Sequence, residues 1–183
     1  MLFAIPPEID LLITQTIQSF QPRWLTITME VFTFFTIPAV LVIIVLAYLG
    51  KFHHRYSHNT KLKVLLISAG NLLTPILKLV FSRPRPTVDL VKVFVFESDH
   101  SFPSGHTIGI FLFVAVMILL FYRKKSNFRF WLVGLSLLLI LVISYSRIYL
   151  GVHWFTDILG GMLFASFWIW LSHLLAKKLI PKK

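Results

Sequence analysis

The chain has no cysteine, so a disulfide, a thiol nucleophile and a Cys-based metal site are all excluded. It is also poor in charge. Only 14% of its 183 residues are Asp, Glu, Lys or Arg, and 57% are hydrophobic, whereas a soluble domain has about a quarter charged and about half apolar. Acidic residues are the scarcest, seven against 18 Lys and Arg. The start, Met1-Leu2-Phe3-Ala4-Ile5-Pro6, lacks the basic region and long apolar stretch of a cleavable signal. Internal repeats and low-complexity tracts are lacking too.

What remains is a set of long apolar runs. Several reach the roughly 20 residues that cross a bilayer, so the sequence predicts an all-α, polytopic membrane helix bundle, one domain over 1–183. The net charge of +11 could suggest nucleic acid as a partner, but its distribution argues for a lipid bilayer instead. Basic residues gather in three clusters: Lys51, Arg55, Lys61 and Lys63; Arg123, Lys124, Lys125 and Arg129; Lys177, Lys178, Lys182 and Lys183. The seven acidic residues, Glu8, Asp10, Glu30, Asp89, Glu97, Asp99 and Asp157, all fall in the other segments. That asymmetry is the positive-inside pattern.

Residues 6–20 read as an amphipathic helix at the membrane interface, the plainer alternative being a helix packed on the bundle. Pro6 and Pro7 suit its first turn, and Glu8 and Asp10 complement the positive end of its dipole. Ile9, Leu12, Ile13, Ile17 and Phe20 form its apolar stripe, with Gln15, Gln18 and Ser19 off it. Five spans follow, at about 24–49, 62–81, 104–122, 130–145 and 154–176. The second should stop near Ser82, because Arg83-Pro84-Arg85-Pro86 cannot continue a helix. An odd number of spans puts the three basic clusters and the C-terminus on the cytoplasmic side, and the N-terminal helix with three polar islands on the other.

Those islands are Lys78 with Arg85-Pro86, then Pro103-Ser104-Gly105-His106, then Ser146-Arg147 with His153 and Asp157. Charge beside hydrocarbon is expensive and marks function. Lys78 alone could snorkel to headgroups, but Ser68, Asn71, Pro75 and Lys78 share a helix face, and a polar stripe in a span usually faces the bundle interior. Asn71 and Ser68 themselves read as helix–helix contacts. The start of span 3 offers unpaired N–H groups and a partial positive charge, a natural phosphate seat. Ser104 can cap that helix or donate to an anion, and Gly105 lets an oxygen approach the backbone. The plainer reading is a cap plus a Gly105–Gly109 packing motif. Across the connection between spans 4 and 5, Asp157 lies four residues after His153, the spacing at which a carboxylate fixes one ring nitrogen and leaves the other to attack. Arg147 adds a planar fork for phosphate oxygens. Here the plainer reading is an Arg147–Asp157 ion pair beside a structural histidine.

Taken together, K-x6-R-P, P-S-G-H and S-R-x5-H-x3-D resemble the three-part signature of the type 2 phosphatidic acid phosphatase family, which is related to acid phosphatases and vanadium haloperoxidases. Every signature position is present over 78–157. The resemblance implies a lipid phosphatase with His153 as nucleophile, forming a phosphohistidine, and Asp157 orienting it. It implies His106 as general acid, with Lys78, Arg85, Arg147, Ser104 and the Gly105 backbone on the phosphate. Many relatives have six spans, and here the first is replaced by the N-terminal helix.

The expected substrate is a phosphorylated membrane lipid such as undecaprenyl diphosphate, phosphatidylglycerophosphate or phosphatidic acid. No cofactor or metal is expected; a metal site from Glu97, Asp99, His100 and His106 would be repelled by the cations around it. The rivals are a lipid phosphotransferase and a non-catalytic lipid-binding or transport protein on the same scaffold. The size and pattern fit a bacterial cell membrane with the site on its outer, periplasmic face. A neutral His153 and a protonated His106 predict a bell-shaped rate against pH. His53, His54 and His58 read as solvated, Gly160, Gly161 and Ala165 as helix packing, and Trp24 and Trp154 as interfacial belt residues, although Trp154, next to His153, could also line the pocket. Arg83 and Lys92 could steer or touch a headgroup.

Overall fold

The computed structural model describes residues 7–122 and 126–179. Expectations that rest on Met1–Pro6, on Arg123, Lys124 and Lys125, and on Lys182 and Lys183 fall outside those residues. Among the described residues every regular element is a helix: α1 (Glu8–Ile17), α2 (Arg23–Phe35), α3 (Pro38–Lys51), α4 (His58–Ala69), α5 (Thr74–Phe81), α6 (Gly105–Phe121), α7 (Ser126–Tyr149) and α8 (Phe155–Leu179), with short 3-10 turns at His53–Arg55 and Gly70–Leu73.

Among the described residues three stretches are long and apolar enough to cross a membrane: His58–Phe81, which joins α4 to α5, Asn127–Tyr149 and Phe155–Leu179. The pair α2 and α3 makes a fourth if its 49° bend is one broken span. The sequence suggests a continuous helix over 24–49, and this is corrected. Pro38 lacks an N–H and disfavours helix at Ile37, so α2 stops at Phe35 and α3 restarts at Pro38. Helix α6 is apolar but shorter, 17 residues. It is the centre of the bundle and packs on α3, α4, α7 and α8. Its Ile108, Leu112, Val116 and Leu120 are buried against Val45, Leu49, Val64 and Ile67, as expected of a helix that is apolar all round.

Helix α5 does end at Phe81, and Ser82 turns the chain out with φ 44°. Helix α7 runs further than 130–145. Ser146 and Arg147 therefore lie in its last turn rather than in the connection to α8.

Helix α1 faces the opposite way from a simple partition of oil and water. Asp10, Thr14 and Gln18 are buried, while Ile9 and Leu12 are 49% and 63% exposed. Part of the apolar stripe, Ile9, Leu12 and Phe20, looks outward because the surroundings of a membrane bundle are themselves apolar, while Ile17 packs beside Met29 and Tyr149 and the inward polar groups find unpaired groups on the protein. Gln18 shows how: its Nε2 donates to the carbonyls of Lys92 (2.7 Å) and Tyr149 (3.0 Å), and its Oε1 accepts from the Lys92 N–H (2.9 Å). The Tyr149 carbonyl is one of those that a helix leaves unpaired at its C-terminus.

Candidate active site

Four helix ends meet at one end of the bundle: the C-termini of α5 and α7 and the N-termini of α6 and α8. The segment from Ser82 to Pro103 lies over them. It is pinned at Gly151, whose φ of 71° suits a glycine; a Cβ there would lie 2.1 Å from the Lys92 carbonyl oxygen. Phe94 N–H donates to the Leu150 carbonyl (3.0 Å) beside it. At the other end of the segment, Ser101 N–H donates to the Arg83 carbonyl (2.8 Å). Gly161 brings α8 against the start of α6, where an added Cβ would sit 3.1 Å from the Ser104 carbonyl oxygen.

His153 lies in the turn before α8 and is fully buried. Its Nδ1 is 3.4 Å from Asp157 Oδ2 and 3.5 Å from Ser101 Oγ. Asp157 Oδ2 also accepts from the Trp154 N–H (2.8 Å) and from the Ser101 hydroxyl. The Trp154 bond is the backward half of a capping box, so the start of α8 holds the carboxylate in place. Asp157 Oδ1 accepts from Arg83 Nη1 (2.5 Å). The other ring nitrogen, Nε2, lies 3.3 Å from Arg85 Nη1. Burial, then the charges of Arg85 and Arg147, push the His153 ring well below the ordinary histidine range. It is therefore neutral at physiological pH, the state a nitrogen nucleophile needs.

The cations are arranged around two carboxylates. Lys78 Nζ donates to Asp99 Oδ2 (2.6 Å), and Arg85 Nη2 reaches both Asp99 Oδ1 (2.5 Å) and Glu97 Oε2 (2.6 Å). Arg85 also donates to the carbonyls of Asp99 (2.8 Å) and Val152 (2.6 Å). Arg147, fully buried, pairs through Nη2 with Glu97 Oε1. Burial raises both carboxyl groups, but the cations outweigh it: Arg147 and Arg85 hold Glu97 at about 2, and Lys78 and Arg85 hold Asp99 at about 2. Both stay ionised at any working pH.

These groups face a cavity of about 590 Å³. Its polar end is Lys78, Glu97, Asp99, Gly105, His106 and His153; its apolar wall is Pro38, Ala39, Val42 and Ile43 of α3 with Leu72 and Pro75. Arg85 and Arg147 do not line it; Glu97 and Asp99, which do, lie on them. His106 Nε2 and two nitrogens of Arg147, Nε and Nη1, are buried without a hydrogen-bond partner among the described residues. Those are donors and an imidazole nitrogen free to engage something that enters.

The structure thus brings Lys78, Arg85, Gly105, His106, Arg147, His153 and Asp157 to one end of the bundle. Ser104 is there too, its N–H donating to the Asp157 carbonyl (3.1 Å), but its hydroxyl is engaged within α6. It is fully buried, outside the cavity lining, and its Oγ caps α6 by accepting from Thr107 N–H (3.4 Å) and lying 3.1 Å from Thr107 Oγ1. Asp157 pairs with Arg83, not with Arg147. Two readings change. Trp154 is 2% exposed and its Nε1 donates to the Pro84 carbonyl (3.3 Å), so it is no belt residue. Arg83 is buried beside Asp157 rather than exposed to a headgroup. Sequence reasoning missed Ser101 and the role of Glu97 and Asp99 as the partners of the cations. Among the described residues no three His, Asp or Glu side chains are grouped to hold a metal ion.

The curated relatives that match include phosphatidylglycerophosphatase B of Bacillus subtilis, 34% identical over 128 residues, which is 67% of this chain and 60% of that protein. An undecaprenyl-diphosphatase of Sulfolobus acidocaldarius is 34% identical over 106 residues, 56% of this chain and 47% of that one. The matched stretch thus spans about half to three-fifths of those relatives' length. In fold, the chain is similar to the crystal structure of a transmembrane PAP2-type phosphatidylglycerolphosphate phosphatase from Bacillus subtilis (TM-score 0.78, 24% identity, 95% of this chain and 87% of that one). It is also similar to that of Aquifex aeolicus LpxE (TM-score 0.72, 24% identity, 93% and 98%). The family model described as the PAP2 superfamily matches residues 60–181, which includes every signature residue, and the chain belongs to that superfamily.

Proposed function

We propose that the chain is an integral membrane lipid phosphatase that hydrolyses a lipid phosphomonoester or diphosphate through a phosphohistidine on His153. One observation carries this reading: a single cavity has imidazoles and charge at one end and an apolar wall at the other. The wall belongs to the outer surface of the bundle, since Ile43 and Leu72 are 64% and 75% exposed. A substrate whose phosphate enters the polar end can therefore leave its tail in the bilayer. Undecaprenyl diphosphate, phosphatidylglycerophosphate and phosphatidic acid all have that shape, and the names of the relatives favour the first two.

The phosphate displaces Glu97 and Asp99 from Arg147, Arg85 and Lys78, whose charge then stabilises the transferring group. His153 Nε2 attacks phosphorus while Asp157 and Ser101 hold Nδ1. The N–P bond forms, the bond from phosphorus to the leaving oxygen breaks, and His106 gives that oxygen a proton, because an alkoxide leaves poorly without one. Water then attacks the phosphohistidine, His106 takes a proton from it, and phosphate and free His153 are restored. The backbone at Gly105, opening α6, completes the anion seat. Five spans with α1 at the interface, counting α2 with α3 and the short α6 as one each, put the basic ends of α3, α4 and α8 on the cytoplasmic side of a bacterial membrane and the site on the outer side.

The test is release of inorganic phosphate from the three lipids by the full chain in nanodiscs, with His153→Ala as blank. Free phosphate from the wild type and none from the variant is expected. Transfer of the label to an alcohol would indicate a phosphotransferase, and equal release by His153→Ala would remove the nucleophile.

A further inference from the structure

The nucleophile's carboxylate is backed by a second carboxylate from the other end of the chain. Arg83 forks between them: Nη1 donates to Asp157 Oδ1 (2.5 Å) and Nη2 to Asp10 Oδ2 (2.7 Å). The three side chains are at most 2% exposed. Thr156, next to Asp157, ties the far side. Its N–H donates to Asp10 Oδ1 (2.8 Å), its Oγ1 donates to Asp10 Oδ2 (2.6 Å), and that same Oγ1 accepts from Arg83 Nη1 (2.6 Å). Helix α1 is thus locked to the first turn of α8, just after the turn that carries His153.

We infer that Asp10 and Arg83 are positioning residues for the nucleophile, Asp10 acting through Arg83 to set the orientation and effective charge of the Asp157 carboxylate that holds His153. The inference rests on the phosphatase reading above. Arg83 alone beside Asp157 would cancel the negative charge that His153 relies on. Asp10 neutralises Arg83 from behind, so Asp10, Arg83 and Asp157 together carry one net negative charge. That charge balances the positive imidazole ring formed when Nε2 is phosphorylated and Nδ1 keeps its proton. A buried charge set of this kind is costly unless matched, and this one is matched in the phosphorylated state. The bonds that fix Asp157 also leave it one geometry: Oδ1 on Arg83, and Oδ2 on Ser101, Trp154 and His153. Partners behind metal-bound histidines commonly affect activity about 10- to 100-fold, and an effect of the same order is expected here.

Asp10→Asn removes the charge and keeps an oxygen for the Thr156 N–H. In nanodiscs, with radiolabelled phosphatidic acid and undecaprenyl diphosphate, rapid-quench trapping of phosphohistidine should show its formation slowed about tenfold, with KM unchanged. Glu8→Gln, a charge removed from an exposed site in the same turn, should leave the rate as it was. If Asp10→Asn does not fold, Arg83→Lys carries the test. A lysine keeps the charge but cannot fork between two carboxylates, and it too should slow phosphohistidine formation with little change in KM. A folded Asp10→Asn or Arg83→Lys protein that forms phosphohistidine at the wild-type rate, or that changes KM alone, overturns the inference. Continued turnover in His153→Ala run alongside would instead remove the phosphatase reading itself, so the two failures are distinguishable.

Discussion

The two histidines of the site sit in opposite surroundings. Around His153 the protein supplies the partners: Nδ1 faces Asp157 and Ser101, Nε2 faces Arg85, and Asp157 is held by Arg83 and the Trp154 N–H. Around His106 it leaves one side open: the ring bonds the Thr33 backbone, but Nε2 is unpartnered among the described residues, as are two nitrogens of Arg147. A fixed nucleophile needs its orientation built in advance, at no cost during the reaction. A general acid and an anion clamp need open valences, because their partner is the substrate.

That contrast predicts a graded set of losses. The largest should come from His153→Ala, about 10⁴-fold or more in kcat, because the variant loses the group that attacks phosphorus; single-turnover phosphate release measures it. His106→Ala should cost about 10²- to 10⁴-fold with a lipid alkoxide as leaving group, and far less with 4-nitrophenyl phosphate, whose leaving group needs no proton. Equal losses on both substrates would show that His106 does not act as the acid. Arg147→Lys should cost about 10²-fold in kcat/KM, since an ammonium cannot span phosphate oxygens as a guanidinium does.

Glu97→Gln tests the open side in the other direction. Without Glu97, the buried Arg147 loses its counter-charge, and thermal unfolding should show a loss of about 1–3 kcal/mol in phosphate-free buffer. Added phosphate should then raise Tm more in this variant than in the wild type, because nothing has to be displaced. An equal shift in both proteins would mean that phosphate does not take the place of Glu97.

The smallest effect is on pH. Glu97 and Asp99 are held at about 2 in the folded protein, below their unfolded values of about 4.3 and 3.9. Their contribution to stability is therefore complete above about pH 4.5 and is lost as pH falls toward 2. Between pH 5 and 8 stability should not change on their account. His153 is held well below its ordinary range by burial and by Arg85 and Arg147, so the acid limb of kcat/KM should lie below the ordinary histidine range. A limb near the ordinary histidine value would mean that the nucleophile is not the desolvated ring described here.

Much of the site was legible because its residue types are dear in a membrane. Lys78, Arg85, His106, Arg147, His153 and Asp157 stand out against hydrocarbon, and their spacing matched a signature. The break before Pro38 was legible in principle, since proline disfavours helix at the residue before it, but a continuous apolar pattern from Trp24 to Leu49 hid it. The reach of α7 to Tyr149 was hidden the opposite way: Ser146 and Arg147 interrupt the apolar pattern without interrupting the helix.

Other features had no sequence signal. Asp10 looked like a helix-dipole charge and Arg83 like a surface cation, because nothing local says that the two meet across 73 residues. Glu97 and Asp99 are ordinary loop acids until folding lays them on Arg147, Arg85 and Lys78. Hydropathy and spacing, which depend on the chain's own neighbours, determined an all-helical membrane bundle of the PAP2 superfamily and the residue types gathered at one end of it. Which carboxylate faces which cation, and which nitrogens stay open, depends on charges far apart in the chain sharing one small, poorly hydrated volume. Only the packing of α1, α5, α6, α7 and α8 against one another decided that.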